Sequence, residues 1–144
     1  MNLKRGEYIL STDRNKLDHI VIHHYLSTEA YWSPGITMET VIRASEHSLC
    51  FGVYHGDHQV GYARVISDFT TMAYLADVFI LPDHRGHGLG KWLVESIKLH
   101  PDLQGLRRWI LVTRDAHGLY EQYGWQRLAQ PELYMEMHRS TLRG

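Results

Sequence analysis

The hydrophobic and polar positions of this chain follow two periods that together predict a sheet with helices. Short apolar runs bounded by turn residues predict strands. These runs lie at 8–11, 50–54, 60–66, 74–81, 108–113, 125–128 and 133–137. Helical spacing predicts one helix after Asp13 or Asn15, one capped by Thr37, one that carries Leu89 and Ile97, and a short one through residue 123. This mixture of hairpins and crossovers indicates an α/β arrangement with a mixed sheet.

A glycine-rich segment at 84–91 is the most informative part of the pattern. Gly86, Gly88 and Gly90 stand at every second position, between the strand at 74–81 and the helix that follows. Glycine adopts a positive φ and allows another group to approach the backbone closely. The first N–H groups of a helix have no internal partner, and the helix dipole adds partial positive charge there. The segment therefore predicts an anion cradle, with phosphate as the expected anion.

The spacing of this loop excludes two common phosphate-binding motifs. The dinucleotide fingerprint fails because Lys91 stands where its third glycine is required, and the Walker A loop fails at Arg85 and Trp92. The pattern Arg85-x-x-Gly88-x-Gly90 instead resembles the coenzyme A pyrophosphate loop of the GNAT superfamily of N-acetyltransferases. An apolar-x-Pro step at 80–82 precedes the loop, as it does in that family. A tight strand–helix turn without a ligand is the alternative interpretation.

A second segment, at 115–125, is similar to another GNAT pattern, A-x-x-L-Y-x-x-x-G-F. Ala116, Leu119, Tyr120 and Gly124 match it, and a tryptophan replaces the phenylalanine. Residue 115, an aspartate, is expected to cap this short helix, and Gly124 to end it in a left-handed turn. The resemblance covers roughly residues 50–137 and implies one N-acetyltransferase domain over 1–144, with a splayed central sheet flanked by about four helices.

The resemblance implies that acetyl-coenzyme A is the co-substrate and indicates where it binds. Backbone N–H groups of the glycine loop would hold its phosphates, with charge supplied by Arg85 and Lys91, while the preceding strand would pair with the pantetheine arm and polarise the thioester carbonyl. Thr113 stands where many relatives carry an asparagine that contacts this arm. The expected coenzyme-binding residues are Val78, Phe79, Ile80, Arg85, Gly86, His87, Gly88, Leu89, Gly90, Lys91 and Thr113.

Transfer to an amine also needs an acid, a base and an acceptor pocket. By resemblance, Tyr120 is the general acid that protonates the departing thiolate; the alternative is a ring that only packs under the coenzyme. Asp77 is a lone carboxylate in an apolar strand, so burial would suit it to relay protons, or it is a structural hydrogen-bond acceptor. Tyr31 and Trp32 follow the first helix, where relatives bind acceptors, and are expected to contact the substrate.

Bulk properties narrow the remaining possibilities. The formal net charge is −1, which argues against nucleic acid and acidic membranes as partners. The absence of an apolar span, of a signal-like N-terminus and of a second cysteine besides Cys50 leads to the expectation of a cytoplasmic protein. The eleven histidines show no convergent ligand spacing, and no metal is expected.

We therefore expect direct acetyl transfer to a primary amine of a small-molecule or peptide acceptor. Two alternatives remain: a non-catalytic acyl-coenzyme A sensor on the same fold, and an unrelated nucleotide-binding protein that uses the glycine loop. Fold resemblance does not identify the acceptor, and the oligomeric state is open between a monomer and a homodimer.

Overall fold

Six strands form one mixed sheet in the computed structural model, which describes residues 1–139. The strands are β1 (Asn2–Arg5), β2 (Tyr8–Ser11), β3 (Leu49–His55), β4 (His58–Ser67), β5 (Met72–Ile80) and β6 (Arg108–Leu111). They lie in the sheet in the same order as in the chain. Neighbours from β1 to β5 are antiparallel, and β6 is parallel to β5. The mixed sheet predicted from the pattern is thus confirmed.

Four α-helices flank the sheet, and their starts follow ordinary capping chemistry. They are α1 (His19–His24), α2 (Met38–Glu46), α3 (Leu89–Leu99) and α4 (His117–Glu121). The Asp18 carboxylate accepts from two N–H groups at the start of α1, whereas Asp13 caps only a preceding 3₁₀ turn. The Thr37 hydroxyl accepts from the Thr40 N–H at 3.2 Å, as expected for the cap of α2.

The sheet opens between its last two strands. The β5–β6 pairing runs from Met72 opposite Arg108 to Leu75 opposite Leu111, where β6 ends. β5 continues for another five residues, to Ile80, with β4 on its other side. The backbone of the second half of β5 therefore faces a cleft instead of a neighbouring strand. This is the splayed sheet that the resemblance implied.

Two clusters of buried apolar side chains stabilise this arrangement. One packs Leu93 and Ile97 of α3 with strand residues such as Val65, all of them fully buried. The other includes Ile22 of α1 and Phe79 of β5. Burial of such side chains stabilises the fold by roughly 1.5–3 kcal/mol each. Because β5 belongs to both clusters, the strand that borders the cleft is anchored from two sides.

Three details differ from the sequence prediction. The strands predicted at 125–128 and 133–137 are wrong, because neither segment pairs with the sheet. The strand β1 was not predicted, since all four of its side chains are exposed and show no apolar alternation. Asp115 does not cap α4: the cap position is Ala116, whose N–H donates to the Thr113 hydroxyl at 3.1 Å. Among residues 1–139, no helix has the length and apolar character needed to cross a membrane.

Candidate active site

A cavity of about 660 Å³ lies where the sheet opens. It is bounded by the end of β5, the glycine loop, the start of α3, the segment after α1 and the segment around α4. Most of the site residues predicted from the sequence line it. These are Tyr31, Trp32, Val78, Phe79, Ile80, Arg85, Gly86, Gly88, Leu89, Gly90, Lys91 and Tyr120.

The glycine loop has the geometry of an anion cradle. Gly86 and Gly88 have φ values of 84° and 74°, a region that residues with a side chain rarely adopt. Gly88 is the N-cap of α3 and no side chain caps the helix, so its first N–H groups are free of intrahelical partners. A Cβ built at Gly86, Gly88 or Gly90 would meet no atom within 4 Å, which shows open space in front of this backbone. The residues present therefore fit a bound phosphate group.

Arg85 connects the glycine loop to its surroundings through two side-chain hydrogen bonds. Its Nε donates to the carbonyl of Ile80 at 3.0 Å, and its Nη2 donates to the Tyr25 hydroxyl at 2.9 Å. The Tyr25 ring in turn stacks on Phe79 with centroids 4.0 Å apart. Arg85 thus ties the loop to β5 in addition to bringing positive charge to the cavity, whereas Lys91 lines the cavity without a hydrogen bond of this kind among the described contacts.

Tyr120 contributes a buried phenol to the opposite wall. The side chain is 8% exposed, and its ring meets Trp125 edge-on at 5.7 Å. Burial raises the pKa of Tyr120 to about 12, with smaller contributions from Tyr31 and Asp115. The hydroxyl therefore keeps its proton throughout the neutral range. A proton donor in this state can protonate a leaving group that is itself removed from water.

One end of the cavity is closed by two neighbouring aromatic rings. The Tyr31 hydroxyl accepts from the backbone N–H of Arg114 at 2.7 Å, and the Arg114 guanidinium lies 3.9 Å from the Tyr31 ring centroid. The Trp32 indole Nε1 donates to Asp77 Oδ1 at 2.9 Å. Tyr31 and Trp32 form an aromatic bridge from β5 to the segment before α4. Their polar atoms are engaged in these hydrogen bonds, so the bridge presents mainly ring surface to the cavity.

Asp77 lies at an unusual position in β5. Its φ of 56° falls in the left-handed region, beside an irregularity in the β4–β5 register. Asparagine and aspartate tolerate this region best among residues with a side chain. Oδ1 accepts from Trp32, and Oδ2 accepts from Arg64 Nε at 2.9 Å, with both partners of this ion pair largely buried. Of the two interpretations open for Asp77, the geometry favours the structural acceptor.

Three predicted residues lie outside the cavity lining. Besides Asp77, these are His87, whose ring approaches Tyr8 at 6.1 Å, and Thr113, whose hydroxyl accepts from the Ala116 N–H. The expectation that Thr113 contacts the coenzyme is therefore not supported by its position. The cavity also includes Glu29 and Arg114, which the sequence analysis missed. Glu29 lies two residues before Tyr31 in the sequence, whereas Arg114 is 83 residues from Tyr31 and reaches the cavity only through folding.

Comparison with known proteins accounts for this geometry. The family model for an acetyltransferase (GNAT) domain matches residues 46–127. The chain belongs to the GNAT family. An acetyltransferase of Gibberella zeae is 35% identical over an alignment of 141 residues in length. The alignment covers 83% of this chain and 78% of that protein. The GNAT chain is thus an acetyltransferase, and the resemblance read from its two motifs is confirmed.

Solved structures agree with this assignment. A GNAT-family acetyltransferase of Xanthomonas campestris pv. campestris has 47% identity and a TM-score of 0.92, covering 96% of this chain and 98% of that one. An acetyltransferase of Clostridium acetobutylicum, solved with acetyl-CoA, shares the fold at 15% identity, with a TM-score of 0.68 and coverage of 91% and 94%. A GNAT acetyltransferase requires an acetyl donor, and the open space before the glycine loop fits its phosphates.

Proposed function

We propose that this GNAT protein transfers an acetyl group from acetyl-coenzyme A to a primary amine of a small-molecule or peptide acceptor. The observation that carries the proposal is the buried phenol of Tyr120, which shares one cavity with the free backbone of β5 and the glycine loop. Acetyl-coenzyme A supplies the activated carbonyl. The aromatic bridge marks the end of the cavity from which an acceptor enters.

The proposed reaction is direct attack within a ternary complex. The amine nitrogen forms the new C–N bond while the C–S bond breaks, and Tyr120 gives its proton to the departing sulfur. Backbone N–H groups at 78–80 stabilise the developing oxyanion; the absence of a paired strand on the cleft side of this part of β5 supports this role. Tyr120 then recovers a proton as the amine nitrogen loses one.

The amine nitrogen also needs a base that takes up its proton. Asp77 is the carboxylate adjacent in sequence to the reacting segment, but both of its oxygens already accept hydrogen bonds. A role as base would require the bond from Trp32 to open.

The cytoplasmic location stays a prediction. The single domain over 1–144 also stays a prediction, and its last residues lie beyond residue 139, outside the described part of the chain.

Tyr120→Phe tests the proposal. Acid catalysis typically contributes 10²–10⁴-fold, so we expect turnover to fall by about that factor. Coenzyme affinity should stay within about threefold, since the ring is retained. The measurement is acetyl-coenzyme A consumption with a panel of amines, combined with isothermal titration of the coenzyme. Tyr123→Phe is the matched control, because it removes a hydroxyl from the same segment outside the cavity lining.

Three results would each contradict the proposal. Unchanged turnover in Tyr120→Phe would leave Tyr120 as a packing residue. Coenzyme binding without acetyl transfer to any amine would favour the non-catalytic sensor. Preference for ATP or NAD over coenzyme A in competition binding would favour an unrelated nucleotide site.

A further inference from the structure

Arg114 brings a positive charge to the cavity that the proposed reaction does not use. Its guanidinium lies 3.9 Å from the Tyr31 ring centroid, and its backbone N–H donates to the Tyr31 hydroxyl at 2.7 Å. One tyrosine therefore holds this residue at both its side chain and its backbone. An arginine that stacks on an aromatic ring keeps the edge of its guanidinium available for planar, bidentate contacts.

The support behind Arg114 runs through the aromatic bridge to β5. The Tyr31 and Trp32 rings meet edge-on with centroids 5.1 Å apart, and the Trp32 indole donates to Asp77. Asp77 is in turn paired with Arg64 in a largely buried ion pair. Binding by a free surface arginine costs the rotamer freedom of a long side chain. This series of contacts orders the Arg114 guanidinium before a ligand arrives, which lowers that cost.

The Arg114 guanidinium has no negative partner among residues 1–139. Two carboxylates, Glu29 and Asp115, line the same cavity, yet neither forms an ion pair with it. Within this range the hydrogen bond of Arg114 comes from its backbone N–H, so the guanidinium donors are open to a ligand. Arg85, in contrast, directs two of its nitrogens to Tyr25 and to β5. The cavity therefore contains a positioned cation that lacks an anion.

The charge on the Tyr31 ring narrows the class of acceptor. A second cation at this place would be repelled by Arg114, which argues against a polyamine. A carboxylate, in contrast, pairs with a guanidinium through two parallel hydrogen bonds. Under the proposed function, the coenzyme phosphates have their own donors in the free N–H groups at the start of α3 and in Lys91. The anion that suits Arg114 is therefore part of the acceptor.

We propose that the acceptor is an amine that also carries a carboxylate, such as a free amino acid, and that Arg114 binds this carboxylate. The carboxylate lies at the aromatic bridge, and the amine of the same molecule points along the cavity toward the thioester. Glu29 lines the cavity as well and attracts the positive charge that the amine carries before it loses a proton. The inference rests on the proposed function, because it names the acceptor of that reaction.

Acceptor selectivity is the first test. Acetyl-coenzyme A consumption by the wild-type protein is measured with a panel of free amino acids and with the amide of each. We expect the acid to exceed its amide in kcat/KM by about 10–100-fold, which is the effect of a charge-assisted bidentate contact. The amine of the amide is less basic and more often neutral, so the amide would react faster without this contact. Amides that react as well as the acids would overturn the proposal.

Arg114→Gln assigns the preference to one side chain. It removes the charge and keeps the backbone N–H that donates to Tyr31. We expect the ratio of kcat/KM between acid and amide to fall by about tenfold or more, mainly through the acceptor KM. Arg127→Gln is the matched control and should keep the wild-type ratio, because Arg127 is exposed and lies outside this cavity. A wild-type ratio in Arg114→Gln would overturn the proposal. A tenfold loss of coenzyme affinity with no change in the ratio would assign Arg114 to a coenzyme phosphate instead.

Product binding separates this inference from the proposed function. N-acetylated amino acids and their amides are titrated into the protein saturated with coenzyme A, so the measurement needs no transfer. We expect the acids to bind about tenfold more tightly than the amides in the wild type, and equally tightly in Arg114→Gln. Acetyl transfer to amines regardless of a carboxylate would sink this inference alone. Arg114-dependent binding of the acids without transfer to any amine would sink the proposed function and leave Arg114 as a carboxylate-binding residue.

Discussion

The two ends of the cavity are built in different ways. The end where we propose that the coenzyme binds, the coenzyme end, comes from one continuous stretch, from Val78 in β5 through the glycine loop to Lys91 in α3. The end that we propose for the acceptor, the acceptor end, joins three distant segments: the Trp32 indole meets Asp77, 45 residues away, and the Tyr31 hydroxyl meets Arg114, 83 residues away. One end is local in sequence, and the other exists only after folding.

This difference separates backbone chemistry from side-chain chemistry. The coenzyme end presents free N–H groups of β5 and of the α3 start, which any sequence with the right glycines can supply. The acceptor end presents side chains whose partners are fixed by tertiary contacts. We therefore expect substitutions at the first end to change coenzyme affinity, and substitutions at the second to change the acceptor KM.

Gly88→Glu should break the coenzyme end and have the largest effect. The substitution forces a side chain onto a φ of 74° and puts a carboxylate where phosphate should lie. We expect coenzyme affinity to fall by a factor on the order of 100 or more, since like charges at close range cost several kcal/mol. Isothermal titration with acetyl-coenzyme A measures this directly.

Gly105→Glu is the control for Gly88→Glu. Gly105 has the same φ of 74° and equally open surroundings, but it lies outside the cavity. It therefore carries the same backbone strain without the charge conflict. If both variants lost affinity to the same extent, strain would explain the effect and the phosphate position would be wrong.

The same contrast explains what could be predicted from the sequence. The glycine loop, the strand before it and α3 were predicted because their patterns are local, and Gly124 adopts a positive φ of 103° as expected. Asp77 was ambiguous because its partners, Trp32 and Arg64, come from other segments. Residues 133–137 have a strand pattern but pair with no strand, because pattern alone does not say whether a partner strand is present. Residues 140–144 lie outside the described part.

Asp77→Asn tests how the acceptor end is held in place and should have an intermediate effect. Asparagine keeps the shape and tolerates the left-handed φ, but it weakens the bonds to Trp32 and Arg64. If Asp77 positions the aromatic bridge, the acceptor KM rises by about tenfold while kcat changes by less than about threefold. Steady-state kinetics as a function of pH, with the acceptor varied, provides the measurement.

Trp32→Phe is the partner experiment for Asp77→Asn. It removes only the indole donor and leaves the carboxylate in place, so it should reproduce most of the rise in acceptor KM. A base would behave differently: Asp77→Asn would then lower kcat by about 10²-fold or more and remove the acidic limb of the pH profile, and Trp32→Phe would not. That outcome would identify Asp77 as the general base.

Replacing His100, which lies at the end of α3 away from the glycine loop, should have the smallest effect. It follows α3 directly, its ring meets Phe51 edge-on at 5.6 Å, and its Nδ1 accepts from the Asp102 N–H. Burial lowers the pKa of His100, and the nearby Asp102 opposes this only in part. The unfolded chain, with a pKa near 6.5, therefore takes up the proton first. The free energy of unfolding should fall as the pH drops below about 6.5 and should be unaffected by this group above it.

His100→Asn retains a side-chain oxygen that can accept from the Asp102 N–H, but it does not titrate. We expect the free energy of unfolding in urea to depend less on pH between 7.5 and 5 in this variant than in the wild type. His58→Asn, at an exposed position, should keep the wild-type slope. If the free energy of unfolding of His100→Asn depended on pH as in the wild type, a group other than His100 would cause that dependence.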